Sequence, residues 1–219
     1  MGLPWILASR NAGKLRELRA LFATRGIAAI DLRDAGVEED AAREESIEAF
    51  DSFEENALAK VRYFSSRLPG RVLIGDDSGL VVDALGGAPG VRSKRWSGRT
   101  DLVGQALDAA NNRRLLSALE HDGERRARFV CAAAWSDGHS EVVTRGEVEG
   151  WILESPRGTQ GFGYDPLVFV HDLGKTMAEA TIAEKELASH RGRAFRRLIE
   201  LLLGRRAYTE VLVAPAPRQ

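Results

Sequence analysis

The stretch GDDSGLVVDALGGAPGV, residues 75–91, decides the fold, because it places two carboxylates directly after an apolar strand. Residues 72–74 predict that strand, and Asp76 and Asp77 stand at its predicted end. An α/β fold keeps its ligand site at the carboxyl ends of its strands, and glycines let the backbone approach a ligand closely. An Asx-type turn leaving the strand is the alternative, and the stretch alone does not decide between them.

The composition is that of an ordinary globular protein. With 219 residues, 44% hydrophobic and 29% charged, the chain can bury a full core as one domain or two tightly joined lobes. We assign residues 1–204 to a single domain and residues 205–219 to a C-terminal tail. The net charge of -1 provides no field that would hold DNA or an anionic membrane, so we expect neither as a partner. A local basic cluster would instead bind a small polyanion, the size of a nucleotide.

Three features predict a cytoplasmic protein. Cys131, the one cysteine, stands in the apolar run RFVCAAAW and is interpreted as a buried structural thiol. No apolar stretch is long enough to span a membrane. The N-terminal MGLPWILAS is too short for a signal peptide and lacks its basic flank.

Short apolar runs alternate with helical patterns along the chain, which favours an α/β fold. Strands are predicted at residues 5–9, 27–32, 71–75 and 167–170, and a β-hairpin at residues 126–135 and 139–151. Helices are predicted after residues 9–14, after Ser52, at residues 101–120, around residues 178–188 and after Ser189. The acidic stretch from Asp34 to Asp51 has too little apolar periodicity for packed structure and is predicted to be a loop.

Three of these helices have a predicted buried face. The faces are Leu15, Leu18, Leu21 and Phe22 on the first helix, Phe53, Ala57, Val61 and Phe64 on the second, and Leu102, Ala106, Ala109, Leu116 and Leu119 on the third. Ser52 and Glu55 form a predicted capping box at the start of the second helix.

The segment SRNAGK is a candidate phosphate site, because it turns the first strand into a helix whose free N–H groups would face an anion. Lys14 would add a positive charge. The segment is not a P-loop, since Ala8 and Leu15 occupy positions at which that motif has glycine and Ser or Thr. An exposed lysine on an ordinary first turn is the alternative. The candidate residues are Ser9, Arg10, Asn11, Ala12, Gly13 and Lys14.

Two further candidates lie near the acidic stretch. If this stretch folds back onto the strand, Glu48 could join Asp77 in holding a hard cation, which prefers oxygen ligands. Lys60 is a candidate phosphate contact, and pairing with Glu55 or Asn56 is the alternative.

Two segments near the C-terminus are candidates for holding a base. In GFGYDP, an aromatic face beside a carboxylate could stack on a base and accept its N–H groups, or the segment is a tight turn packed by two aromatic rings. In EKELASHRGRA, donors converge on one helix start and suit a base carbonyl or a phosphate, or they form a solvated basic helix end.

Taken together and in this order, these segments closely resemble the inosine triphosphatase family, whose members hydrolyse non-standard purine nucleoside triphosphates such as dITP and XTP. The resemblance runs from SRNAGKLREL through SFEENALAK, GDDSGLVVDALGGAPGVRSKRWSG and QGFGYDPLVF to KTMAEATIAEKELASHRGRA. It implies an α/β fold with a long central mixed sheet and two lobes around a cleft, and a homodimer. It also implies Mg²⁺-dependent release of pyrophosphate from a purine nucleoside triphosphate.

The resemblance also implies roles for the candidate residues. Residues 9–14 would hold the triphosphate, Asp77 would be the active-site acid at the metal, and Ser78 and Lys60 would assist. From the chemistry, we expect Asp76 to support Asp77. The base and sugar pocket would consist of Phe162, Gly163, Tyr164, Asp165, Lys185, His190 and Arg191. The stretch SIEAFDSFEENA departs from the family pattern of paired glutamates, threonine and glycine, so the metal role of Glu48 is less secure than that of Asp77.

Chemistry is consistent with these roles, and two other classes of function remain as alternatives. Donors directed at O6 would bind hypoxanthine or xanthine and would oppose the amino group of adenine. A Mg²⁺-dependent phosphatase or phosphoryl transferase acting on another nucleotide would also need acids and lysines, but the DxD nucleophile spacing is absent. A nucleotide-binding regulatory protein without turnover would have no use for Asp76 and Asp77.

Overall fold

The protein is built on one sheet of seven strands, seen in a computed structural model that describes residues 3–212, without the side chains of Glu45 and residues 205–212. The strands, in the sheet order β2-β1-β3-β4-β5-β6-β7, are β1 Trp5–Leu7, β2 Ala29–Asp31, β3 Leu73–Val82, β4 Arg126–Ser136, β5 Glu141–Ile152, β6 Val168–Val170 and β7 Lys175–Thr176. The helices are α1 Ala12–Ala23, α2 Ala41–Ile47, α3 Phe53–Arg67, α4 Gly104–Ala118, α5 Ile182–Ala188 and α6 His190–Leu212.

The sheet is mixed, which confirms the predicted α/β fold class. Strand β1 runs parallel to β2 and to β3, and all other neighbours are antiparallel. Strands β4 and β5 form the predicted hairpin. Helices α1 and α6 pack on one face of the sheet, and α3 packs on the other. Each of these two contacts buries a cluster of apolar side chains, and a third cluster joins α4 to the end of β3, the start of β4 and the end of β5.

The prediction that Asp76 and Asp77 stand at a strand end is wrong, because β3 continues to Val82. The antiparallel β4 pairs with β3 along its whole length and supplies hydrogen bonds for the polar residues. On its other side, β3 pairs with β1 only at Leu73 and Ile74. The two aspartates therefore lie where the neighbouring parallel strand ends, and a strand end still defines the site.

The prediction that the acidic stretch is a loop is wrong in part, because the stretch contains α2. Asp40 caps this helix by accepting a hydrogen bond from the Arg43 amide. The Glu44 carboxylate accepts hydrogen bonds from Arg10 at 2.9 and 3.2 Å. A cap and a tertiary ion pair thus stabilise a helix for which the sequence has no apolar periodicity.

The predicted helix faces are confirmed for α1 and α3 and only in part for α4, where Leu119 is buried and Leu116 packs against the core. Leu18, Leu21 and Phe22 of α1 are buried, and so are the four predicted residues of α3, whose Ser52 cap accepts from the Glu55 amide. On α4, however, Ala106 and Ala109 are exposed. The buried face of α4 carries Ala110, Asn111 and Leu115, because its inner side also binds polar loop groups.

Helix α6 begins after Ser189, whose hydroxyl accepts from the Gly192 amide, as predicted. It runs beyond the predicted domain boundary at residue 204 and ends at Leu212, within the predicted tail of residues 205–219. The rest of that tail lies outside the described residues. Among residues 3–212, no helix has the length and apolar character needed to cross a membrane.

Gly79 allows another segment of the chain, and not a ligand, to approach β3 closely. The 3₁₀ helix Gly90–Arg95 lies directly on the strand there, and the Ser93 hydroxyl accepts a hydrogen bond from the Leu80 amide at 2.8 Å. A Cβ atom on Gly79 would collide with the Gly90 carbonyl oxygen and lie 2.5 Å from Ser93 Oγ. Because Gly79 has no side chain, the 3₁₀ helix Gly90–Arg95 can lie against β3 and form one wall of the site.

We expect Gly79→Ala to lower the free energy of unfolding by about 1–3 kcal/mol, because an added atom overpacks this contact. Gly123→Ala is the matched control, since a Cβ on Gly123 meets nothing within 4 Å. Urea unfolding of the two variants measures the difference, and equal stabilities would contradict the close approach.

Candidate active site

One cavity of about 500 Å³ collects most of the predicted site residues. It lies among the start of α1, the middle of β3, the 3₁₀ helix Gly90–Arg95, the loop after β5 and the start of α6. The predicted residues that line it are Ser9, Arg10, Asn11, Lys14, Glu48, Lys60, Asp77, Ser78, Phe162, Gly163, Tyr164, Asp165, Lys185, His190 and Arg191. Ala12, Gly13 and Asp76 are not part of its lining.

The two adjacent aspartates of β3 point to opposite faces of the sheet, as successive strand residues do. Asp76, 1% exposed, faces α1 and α6. Asp77, 6% exposed, faces α3 and the cavity. The structure therefore gives the two carboxylates separate surroundings and separate partners.

Asp76 brings together two cations from distant helices. Its Oδ2 atom lies 3.0 Å from Lys14 Nζ and 3.3 Å from Arg191 Nε. Burial alone would raise the pKa of Asp76, but the positive charges of Lys14 and Arg191 outweigh it and hold the pKa below its usual range. The Cys131 thiol, buried as predicted, lies beside the same oxygen. Asp76 is therefore not part of the cavity lining, but it binds Lys14 and Arg191, which are.

Asp77 is held by an amide that the sequence analysis did not identify. Asn56, 1% exposed, donates to Asp77 Oδ2 at 3.0 Å and also exchanges hydrogen bonds with the main chain of Phe50. The Ser78 amide donates to Asp77 Oδ1 at 2.9 Å. Burial raises the pKa of Asp77, and the charge of Glu48 adds to this effect. The only signal for Asn56 is an amide on the buried side of the predicted helix.

Lys60 binds Glu48, not Glu55 or Asn56, so the predicted alternative for this lysine is wrong. Its ammonium forms an ion pair with the Glu48 carboxylate and donates to the Asp76 main-chain oxygen at 2.7 Å. Burial would raise the pKa of Glu48, but Lys60 and Lys14 lower it. Lys94, which we did not single out, also lines the cavity and lowers this pKa.

The candidate phosphate loop forms a capped helix start. Asn11 Oδ1 accepts from the Lys14 amide at 3.0 Å, and Ser9 Oγ accepts from the Asn11 amide at 3.2 Å. The Arg10 guanidinium is committed to Glu44 and to main-chain oxygens of the acidic stretch. Lys14 therefore carries the positive charge at this helix start, while Arg10 ties α2 to the cavity.

The Phe162 ring lies between α1 and α6. A Cβ atom on Gly13 would lie 2.6 Å from Phe162 Cε1, so glycine is required there for the ring to fit. The Arg191 guanidinium lies 5.5 Å from the centre of the ring, within cation–π range. Tyr164 is packed more deeply, and its hydroxyl donates to the Ser93 main-chain oxygen at 2.9 Å.

A buried ion network continues from Arg191 to the loop that carries Phe162 and Asp165. Glu17, which the sequence analysis missed, accepts from Arg191 Nη1 at 2.6 Å and lies 3.5 Å from Lys185 Nζ. Lys185 in turn lies 2.5 Å from Asp165 Oδ2. Arg191 also donates to Ser78 Oγ at 2.8 Å. Carboxylates thus fix the side chains of Lys185 and Arg191 before any ligand binds.

Two carboxylates of the described residues are the candidate ligands for a metal in the cavity. Among residues 3–212, no group of three or more His, Cys, Asp and Glu side chains could hold an ion. Asp77 and Glu48 both present carboxylates to the cavity. Since Mg²⁺ is usually bound by one or two carboxylates together with water and substrate phosphates, this donor set fits it.

His190 is a buried neutral imidazole. It stacks on Phe129 at 4.8 Å between ring centres, and its Nδ1 atom has no hydrogen-bond partner among the described residues. Burial lowers the pKa of His190 well below its usual 6.5, and the charge of Arg191 lowers it further. The folded protein therefore holds this ring in its neutral form at neutral pH, with one of its two nitrogens protonated.

This burial predicts a loss of stability in acid. Below pH 6.5, the unfolded chain binds a proton at His190 that the folded protein does not, so stability falls as the pH falls. The slope from one such group is about 1.4 kcal/mol per pH unit. His190→Gln should lose this contribution in urea unfolding between pH 6.5 and pH 5. Equal slopes for the two proteins would contradict a buried neutral histidine.

Comparison with known proteins identifies the family of this chain. The model of the Ham1 family matches residues 5–201. The chain is 48% identical over 202 residues to a dITP/XTP pyrophosphatase of Frankia alni, covering 90% of this chain and 96% of that protein. It is 43% identical over 200 residues to a dITP/XTP pyrophosphatase of Bacillus licheniformis, with 90% and 96% covered.

A solved structure shares the fold as well. The Ham1 protein of Staphylococcus aureus is 34% identical, with a TM-score of 0.76, and the match covers 93% of this chain and 100% of that one. These matches confirm the resemblance inferred from the segments between SRNAGK and SHRGRA. With a family model that spans nearly all of the sheet and the cavity, the chain belongs to the Ham1 family.

Proposed function

We propose that this protein hydrolyses dITP, ITP and XTP to the nucleoside monophosphate and pyrophosphate, and so removes deaminated purines from the nucleotide pool. The observation that carries this proposal is the cavity of about 500 Å³ that is lined by two acids, Asp77 and Glu48, together with Lys14 and Lys60. Relatives that share the family and nearly half of the residues are named dITP/XTP pyrophosphatases.

The cations of the cavity bind the triphosphate. Lys14 adds its charge to the free N–H groups at the start of α1, and Lys60 of α3 lines the same cavity. Both ammonium groups are held by carboxylates and need little reorganisation when phosphate binds, which favours electrostatic stabilisation of the transition state. These lysines therefore reduce the repulsion that a polyanion presents to an attacking water.

We assign Mg²⁺ as the cofactor, held by Asp77 and Glu48. When bound, it supplies Lewis-acid charge that stabilises the phosphates during the reaction. Asp77 orients the water and accepts its proton at a carboxylate oxygen. Oxygen from water then bonds to the α-phosphorus while the bond to the bridging oxygen of the leaving pyrophosphate breaks.

The other end of the cavity recognises the base. Arg191 and Lys185 present fixed donors there, and we assign them with His190 to the O6 side of hypoxanthine or xanthine. Adenine carries an amino group at this position, and a buried donor that faces it would lose its partner, at a cost of about 1–3 kcal/mol. Phe162 provides an aromatic surface for stacking beside these donors.

We also propose that the protein is a cytoplasmic homodimer, as its family resemblance implies. The free buried thiol of Cys131 is compatible with a reducing compartment. Sedimentation velocity measures the oligomeric state, and a monomer at micromolar concentration would contradict the dimer.

The substrate assignment is tested by incubation with ITP, dITP, XTP, GTP and ATP, with Mg²⁺ and then with excess chelator. We expect pyrophosphate from the first three, much slower turnover of ATP, and no turnover after chelation. Release of orthophosphate would instead identify a phosphatase or phosphoryl transferase and would refute the proposal.

Asp77→Asn tests the role of the acid. The amide keeps the shape and one of the two acceptors, for Asn56, but loses the oxygen that accepts from the Ser78 amide. We expect this variant to fold and to bind nucleotide, while kcat for ITP falls by about 10²-fold or more. The matched control is Asp172→Asn, at an exposed carboxylate that pairs with Arg193 away from the cavity. Full activity in Asp77→Asn would exclude the assigned mechanism.

A further inference from the structure

One face of α4 holds two loops of the cavity. Asn111 accepts from the Ser97 amide at 2.7 Å and donates to the Lys94 main-chain oxygen at 3.1 Å. One turn away, Asp108 Oδ2 accepts from the Gly163 amide at 2.8 Å, and Asn112 Nδ2 donates to the Gly163 main-chain oxygen at 3.1 Å. Residues three and four apart share a helix face, so all three side chains reach inward from the same side.

Asp108 and Asn112 together fix both peptide groups that flank Gly163. The N–H group that Asp108 binds belongs to the peptide that follows Phe162, and the oxygen that Asn112 binds belongs to the next peptide. Gly163 has a φ of +62°, a conformation that other residues rarely adopt. The direction of the chain at Phe162 therefore depends on these two side chains of α4.

We propose that Asp108 and Asn112 are positioning residues that set the Phe162 ring for stacking on the purine base. This inference rests on the proposed function, because it assigns Phe162 to the base end of the cavity. The ring itself is confined by Gly13 and Arg191, which belong to α1 and α6. The two hydrogen bonds from α4 hold the backbone of Phe162 from the opposite side, so the ring is located between fixed supports.

The hydrogen bonds of Asp108 and Asn112 to Gly163 form a clamp on the loop. The fold does not need this clamp to hold α4 in place. Leu115 and Leu119 are fully buried and anchor the helix in the core. Asp108, by contrast, is only partly buried and lines the cavity. An aspartate whose carboxylate binds a loop amide at a ligand cavity is better explained by the precise placement of that loop than by stability.

The experiment compares Asp108→Ala, Asp108→Asn and Asn112→Ala with Arg113→Ala, an exposed control on the same helix. Steady-state hydrolysis of ITP separates KM from kcat. Calorimetric titration with inosine 5′-monophosphate and, separately, with inorganic pyrophosphate measures the two ends of the cavity. Thermal unfolding of each variant shows whether the fold is preserved.

We expect Asp108→Ala to raise the KM for ITP and to weaken inosine monophosphate binding by about tenfold, with kcat and pyrophosphate affinity little changed. Asn112→Ala should show the same pattern to a smaller extent. Asp108→Asn keeps an oxygen acceptor for the Gly163 amide and should restore wild-type behaviour.

Two results would overturn the clamp alone. The first is an unchanged affinity for inosine monophosphate in both alanine variants. The second is an equal loss of affinity for inosine monophosphate and for pyrophosphate together with lower thermal stability, because that result would indicate a merely structural role. If the wild-type protein does not hydrolyse ITP, the proposed function fails and the clamp fails with it. The wild-type assay therefore separates the two ideas.

Discussion

The alternation of side chains along β3 is the constraint on which the rest of the site depends. Because consecutive strand residues point to opposite faces, Asp76 and Asp77 cannot act as a pair on one ion. Asp76 is committed to Lys14 and Arg191 on the face of α1 and α6. Asp77 is left on the other face, where it meets Asn56 and the cavity. One dipeptide thus joins two environments with opposite effects on a carboxylate pKa.

The buried contact of Asp76 with its cations also organises the fold around the cavity. A carboxylate taken out of water is stable only with well-placed partners, so Lys14 and Arg191 must stay where the fold has put them. Glu17 extends the same network to Lys185. The interactions that offset the burial of charge therefore place cations at the cavity before any substrate arrives, which is the arrangement that electrostatic catalysis requires.

The two ends of the cavity are held in different ways. At the proposed phosphate end, strand β3 and helices α1 and α3 carry the charged groups directly, so their positions follow from the core beneath them. At the proposed base end, Phe162 stands on a loop, and loops have few buried contacts of their own. Hydrogen bonds from α4 and the ion pair between Lys185 and Asp165 supply the missing constraints there.

The sequence by itself determined the α/β class, the β4–β5 hairpin, the Ser52 and Ser189 caps and the segments that meet at the cavity, since periodicity, caps and short motifs are encoded within a few residues. It predicted neither α2 nor the continuation of β3, because a contact with Arg10 and the pairing with β4 decide them. Only the tertiary structure brought Arg191 to Asp76, 115 positions away, and Asn56 to Asp77. Which charges share a buried contact depends on how helices pack on a sheet, and no local pattern contains that information.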